Sequence, residues 1–246
     1  TITLDDAQLA ALGDLTDPVI MLHGMDVGDE YDASIPVVCG DIEPAGDGTA
    51  GDDTVPGAGP GARAANRLAA TSRWLVNGEP TESKLASGGK GAQRVIVRSR
   101  GREAHSAYAH LGQSALEPLL EMLPRLKTLT LPVDPILGPT TYNIGVLRAG
   151  TEANIVPGLA EAEIMIRLVG DVAPVKAAFA GWAGDRLELV WGSHIPAQHF
   201  HVINGFEVGP AAYTSDIPLL DRWGTPLLFG PGSIHVAHTP IEYIDV

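Results

Sequence analysis

The spacing of apolar residues between Gly91 and Ile195 switches repeatedly between two periods, and that succession restricts the fold more than any other feature. Gln93 to Ser99 alternates, with Val95 and Val97 on one face and Ile96 and Arg98 on the other. Leu111 to Leu129 then carries Leu116, Leu119, Leu120, Leu123 and Leu126 at helical spacing, with Gln113, Glu117 and Glu121 facing out. Pro118 and Pro124 predict a bend or interruption there. Alternation returns in Tyr142–Arg148 and in Ala160–Leu168, where Glu161, Glu163 and Met165 oppose Ala162, Ile164 and Ile166, and Arg167 sits near the end. A helix over Val172–Trp182 and a strand over Leu187–Trp191 finish the series.

The order is β-α-β-β-α-β, that of a ferredoxin-like unit: a four-stranded sheet with two helices on one face. The flanks predict a different, larger α/β domain. Strands are expected at Pro18–Leu22, Trp74–Val76 and Pro226–Phe229, and helices at Asp5–Leu12, Ala62–Ala70 and Asp216–Trp223. The small unit, 89–204, therefore reads as an insertion into a domain formed by 1–88 and 205–246. The glycine-rich passage Ser87–Gly91 is the expected boundary, since loose glycines tolerate backbone angles that a packed element does not. Residues 28–62 have the composition of a loop, with one plausible strand at Ile35–Val38. A structureless insert of that length is uncommon in a compact domain, so the segment reads as an active-site region or as a place where chain is absent.

Composition excludes several functions. Sixteen basic and 30 acidic residues give a formal charge of −14, a surface that repels phosphate backbones and anionic membranes and argues against nucleic-acid binding. The single Cys39 excludes an internal disulfide and a multi-cysteine zinc site. No run of about 18 apolar residues and no basic-then-apolar leader is visible, so a cytoplasmic protein is expected.

Several polar side chains fall where chemistry is commonly done. His23 and Asp26 follow the Pro18–Leu22 strand, where open α/β sheets place ligands. With Asp52, Asp53, Glu79 and His238 they form a set of nitrogen and oxygen donors suited to zinc, cobalt or manganese. His105 follows a glycine bend, where it is either an oxyanion donor or a surface histidine bonded to Ser106. Arg167 lies among apolar residues, where it requires a partner, either a structural carboxylate or a substrate carboxylate, with Asn154 on the neighbouring connection. Asp216 reads as a helix cap rather than an acid.

With those residues identified, the chain resembles the M20 family of zinc aminoacylases and carboxypeptidases. The resemblance covers about two-thirds of the chain, from residue 78 onward. It rests on GEPTE at 78–82, KGAQRVIVRSRGREAHSAY at 90–108, GQSALEPLLEMLPRL at 112–126, NIGVLRAGTEANIVPGLAEAEIMIRL at 143–168, and YTSDIPLLDRWGTPLLFGPGSIHVAHTPIEYI at 213–244. It implies an aminopeptidase-like domain holding two zinc ions per protomer, with the ferredoxin-like insert as lid and homodimer surface. By the same resemblance His23, Asp52, Glu79 and His238 are metal ligands and Asp26 orients His23. His105 stabilises the reacting carbonyl in a neighbouring subunit's site, while Asn154, Arg167 and Gly232 meet the substrate. The implied reaction is hydrolysis of the amide bond of an N-acyl amino acid or small C-terminal peptide.

The front third departs from the family. His-x-Asp is expected where HGMD stands at 23–26, GTAGDDT at 48–54 carries an extra glycine, and VPGAG at 55–59 has no carboxylate where a Glu-Glu pair supplies the base. The departure predicts that residues are absent between about 24 and 60. The alternative is a degenerate, non-catalytic binding or dimerisation protein.

Overall fold

Alternation in the two longest apolar-polar stretches becomes a ten-residue antiparallel ladder, Gly91 opposite Leu168 and Arg100 opposite Leu159. The structure is a computed structural model that describes residues 18–22, 60–67, 72–237 and 243. In chain order its main elements are β1 (Pro18–Leu22), α1 (Pro60–Ala65), β2 (Trp74–Gly78), β3 (Leu85–Gly89), β4 (Gly91–Arg100) and α2 (Leu116–Met122). There follow β5 (Thr141–Ala149), β6 (Leu159–Leu168), α3 (Val172–Ala183), β7 (Glu188–Ile195), β8 (Gln198–His199), β9 (Val208–Ala211) and β10 (Thr225–Leu228). The expected elements at 5–12 and 35–38 lie outside the described residues.

The chain divides into two compact units, Thr1–Gly89 with Gln198–Val246, and Lys90–Ala197. The second unit returns to the first seven residues before the expected position at 205, because Gln198 and His199 already pair with Gly89 and Gly88.

In Lys90–Ala197 the sheet order is β5-β6-β4-β7, with all neighbours antiparallel. One face is apolar: Val95, Val97, Ala160, Ala162, Ile164 and Ile166 are fully buried against α2 and α3. Phe179 at the centre is worth about 2–3 kcal/mol of burial. The Trp182 indole N–H donates to Met122 O (3.1 Å), satisfying a buried donor and tying the helices together. α3 starts at Asp171, which accepts from Ala173 N (3.0 Å), and stops at Gly184, where φ is +54°.

The expected long helix over 111–129 is broken. Ser106–Leu111 and Leu123–Thr128 are 3₁₀ turns, and only Leu116–Met122 is α-helical. The buried stripe is Leu119, Met122, Leu123 and Leu126, an unbroken spacing of three and four; Met122 lies on it and Leu120 falls outside it, exposed.

The other sheet face carries paired charge. Glu163 accepts from Arg94 and from Arg148 (2.8 Å), and Glu161 from Arg98 (2.6 Å).

In the first unit β1, β2 and β10 form a parallel sheet with β2 central, and Trp74 opposes both Pro18 and Thr225. A second small sheet has the order β8-β3-β9. The glycine passage at 87–91 is thus largely strand, not a loose bend, and no glycine in it has positive φ. Its glycines serve close packing: a Cβ on Gly91 would stand 2.3 Å from Ile195 O. The expected helix over 216–223 is a single 3₁₀ turn, Ile217–Leu219. Asp216 makes no capping side-chain bond there, and the Ser215 hydroxyl accepts from Ile217 N instead (3.4 Å).

Gly91→Ala is expected to lower unfolding stability by about 1–3 kcal/mol, because the clash is with backbone; urea titration measures it. Arg94 first, with Arg148, holds the Glu163 carboxyl below the ordinary glutamate value of 4.5. That stabilisation is present above pH 4.5 and is lost as pH falls through the lower folded value. Glu163→Gln should therefore cost about 2 kcal/mol at pH 7 and flatten the fall in stability below pH 4.5, read from thermal midpoints across pH.

Candidate active site

Strand β2 delivers Glu79. Its buried residues Leu75, Val76 and Asn77 fix the strand, and the chain leaves the carboxyl edge of the parallel sheet at Gly78. Glu79 is therefore the first side chain beyond a central strand, the position where such sheets gather polar groups. β10 ends alongside, and Phe229 N donates to Asn77 O (3.0 Å).

The chain then turns back against the segment after β10. Thr81–Lys84 is a β-turn closed by Lys84 N donating to Thr81 O (3.1 Å), and its central residues have positive φ, +57° at Glu82 and +58° at Ser83. Two successive left-handed residues define a type I′ turn, which favours Asn-Gly over Glu-Ser and here stores about 1–3 kcal/mol per residue. Bonds to the Gly230–Ser233 turn hold it. Glu82 N donates to Gly232 O (2.8 Å), Ser83 N to Gly230 O (3.0 Å), and Ser233 Oγ to Glu82 Oε1 (3.2 Å). The Thr81 hydroxyl donates to Gly230 O (3.1 Å) and accepts from Gly230 N (3.0 Å). Gly230 lies so close to Glu79 that a Cβ would stand 2.4 Å from Glu79 O. Gly232 has φ +74° and completes the turn.

Tyr213, which sequence reasoning did not single out as a site residue, donates its hydroxyl to Pro80 O (2.9 Å). Burial first, and then the charge of Glu79, push the phenol well above its ordinary value, so it remains a protonated donor beside the carboxylate. Tyr213 follows a short, partly exposed strand, Val208–Ala211, whose VGPA sequence carries no alternation to mark it.

Within the second unit, His105 and Asn154 come together. His105 bridges to Ile155, and Ser106 N donates to Asn154 O (2.8 Å). Both side chains are exposed. His105 Nδ1 accepts from Ala107 N (3.2 Å), not from Ser106. In the neutral ring an accepting Nδ1 requires the proton on Nε2, which leaves an N–H donor on the outer side. Arg167 stands elsewhere. It opposes Ala92 and Thr141, eight residues up a strand that begins at Leu159, about 26 Å from the His105 end at 3.3 Å per residue. Arg167 is half-buried, which lowers its pKa.

His23, Asp26, Asp52, Asp53 and His238 lie outside the described residues. Among the described residues no three His, Cys, Asp or Glu side chains form a group able to hold a metal. No helix among them is long and apolar enough to cross a membrane.

Residues 87–188 match the family described as Peptidase dimerisation domain. The chain is 39% identical over 183 residues to a peptidase M20 domain-containing protein of Schizosaccharomyces pombe, covering 73% of this chain and 46% of that protein. It is 37% identical over 205 residues to a protein of Talaromyces marneffei described as "Probable carboxypeptidase", covering 72% and 46%. The chain thus spans about half the length of the curated relatives it matches. The crystal structure of aminopeptidase PepT from Bacillus cereus shares the fold, with TM-score 0.53, 19% identity, and coverage of 70% of this chain and 52% of that one.

Tyr213→Phe leaves the Pro80 carbonyl without its donor and should lower stability by about 1 kcal/mol, measured as a lowered chemical-denaturation midpoint with unchanged slope.

Proposed function

The chain belongs to the M20 peptidase family, and from that we propose that the whole protein is a metal-dependent hydrolase acting on the amide bond of an N-acyl amino acid or small C-terminal peptide. One observation carries the reading. The Glu79 carboxylate leaves the carboxyl edge of a parallel sheet with the Gly230–Gly232 turn packed on its backbone and a protonated Tyr213 beside it. An oxygen ligand and a substrate-facing backbone turn are the two parts that such a hydrolase needs in one place.

In this reading His23, Asp52, Glu79 and His238 hold the metal, with Asp26 orienting His23; the nitrogen and oxygen donor set fits a pair of zinc ions, or cobalt or manganese. When bound, the pair supplies Lewis acidity toward the carbonyl and lowers the pKa of a water. The chain's own residues do the rest. Tyr213 fixes the Glu79-Pro80 backbone. His105 Nε2–H donates to the carbonyl oxygen as charge develops there, with Asn154 beside it. Arg167 offers a guanidinium fork to the free carboxylate.

About 26 Å of strand separates Leu159, on the His105 side, from Arg167, too long a span for one small substrate to touch both ends. That span supports a homodimer formed through the inserted unit, in which His105 serves the neighbouring subunit's site. The general base is a carboxylate that VPGAG at 55–59 does not contain, and we assign it to residues of the full protein absent from this stretch. The same gap favours one alternative, a non-catalytic M20-like binding protein.

Metal content per protomer separates the two, measured by plasma mass spectrometry on full-length protein purified without chelator or added metal. About two equivalents are expected. His105→Ala should retain them while losing about 10²-fold or more in turnover of an N-acyl amino acid, and His238→Ala should lose metal. Equal metal loss in both variants would overturn the division of roles. Metal-free protein that takes up no zinc would establish the binding protein instead.

A further inference from the structure

A cavity of about 320 Å³ opens beside the strained turn, lined by Glu82, Ser83, Gly232, Ser233, Val236 and Tyr243. It shares Gly232 with the turn placed against the substrate above, so an occupant of the cavity lies within the reach of one substrate. Its chemistry is one-sided. Among the described residues of the lining, Glu82 is the one carboxylate and none is Lys or Arg.

Among the described residues, the lysine paired with Glu82 does not cancel that charge. Lys84 Nζ lies 3.9 Å from Glu82 Oε2 but 3.0 Å from Glu207 Oε1, and Glu207 is the first cause raising the Lys84 pKa. One lysine shared by two carboxylates leaves the trio with a net charge of −1. Ser233 Oγ donates to Glu82 Oε1 and steers the carboxylate without neutralising it. Tyr243 adds an aromatic side chain, a class of group that attracts cations over its face.

Placement of the carboxylate also has a cost in the backbone. Glu82 and Ser83 both sit at positive φ, conformations that Asn-Gly would adopt with less strain. Asn-Gly would remove the charge. Strain of this kind persists where surrounding bonds over-determine it, as the three backbone bonds to Gly230 and Gly232 do here.

We propose that this cavity is a specificity pocket for a cationic group of the substrate, an ammonium or guanidinium, with Glu82 as the residue that selects it. The inference rests on the hydrolase reading, which identifies the Gly232 turn as substrate-facing.

The test uses full-length protein and two matched pairs of dipeptides, Ala-Lys with Ala-norleucine and Lys-Ala with norleucine-Ala. Each pair differs in the ammonium and little else. In one pair kcat/KM should favour lysine by about tenfold. Glu82→Gln, which keeps the shape and the acceptor for Ser233, should bring that ratio to within about twofold of unity, and raising ionic strength should lower it in the wild type. No lysine preference in either pair, or a preference that Glu82→Gln leaves intact, would overturn the pocket. If no dipeptide is cleaved, calorimetric titration with the same four dipeptides still decides, and the hydrolase reading fails only where N-acyl amino acids are not cleaved either. Tighter lysine binding abolished by Glu82→Gln supports the pocket, and equal binding of both members sinks it.

Discussion

The Thr81 hydroxyl makes a reciprocal pair with Gly230, donating to its carbonyl and accepting from its amide. Much of the candidate site depends on that pair. It joins the segment leaving β2 to the segment leaving β10, two strands of one parallel sheet whose ends would otherwise diverge into separate loops. With the seam closed, Glu79, the strained Glu82-Ser83 turn and the Gly230–Ser233 turn form one surface. Gly230 is indispensable to the seam, since any side chain there would occupy the space taken by the Glu79 backbone. The hydroxyl is a small group, but it satisfies the Gly230 amide and adds a further donor to a carbonyl that already accepts from Thr81 N and Ser83 N.

The inserted unit is organised differently. Its core is set by alternation alone: residues one apart on β6 face either the helices or a ladder of arginine and glutamate. Because these ion pairs are only partly exposed, they cost more to break singly than surface pairs do. The ladder ends before Arg167, whose strand neighbours are Ala92 and Thr141. Chemistry at the two ends of this sheet is therefore separate: a hydrogen-bond donor at His105, a cation at Arg167.

How legible this was in the sequence depended on the range of the interactions. Strands β4 and β6 were readable because period-two alternation over ten residues has a single solution when one face is buried. Met122 stands in the core where Leu120 was expected because the helix turns the 119, 122, 123, 126 stripe inward, a face that a count of leucines does not capture. The passage at 87–91 was misread since glycine looks the same in a loose bend and in a tightly packed strand, and only the carbonyl of Ile195 tells them apart. Glu79, His105, Asn154, Arg167 and Gly232 were all named from sequence. What sequence did not convey was their grouping: Glu79 with Gly232, His105 with Asn154, and Arg167 distant from the latter pair. Tyr213 was overlooked because its partner, the Pro80 carbonyl, is 133 residues away and is a backbone atom.

The pairing of Ala92 with Ile195 brings the two ends of the inserted unit to neighbouring strands, about 5 Å apart. For the chain outside, residues 90–197 then behave as a short link once they have folded. Closing a loose loop of about 108 residues costs roughly 4 kcal/mol of chain entropy, and a connection a few residues long costs about a quarter of that. The outer sheet, whose strands β2 and β10 come from opposite sides of the insertion, is cheaper to assemble after the inner unit has formed. Loop-closure entropy thus favours one order of assembly: the middle of the chain first, and then the strands on either side of it.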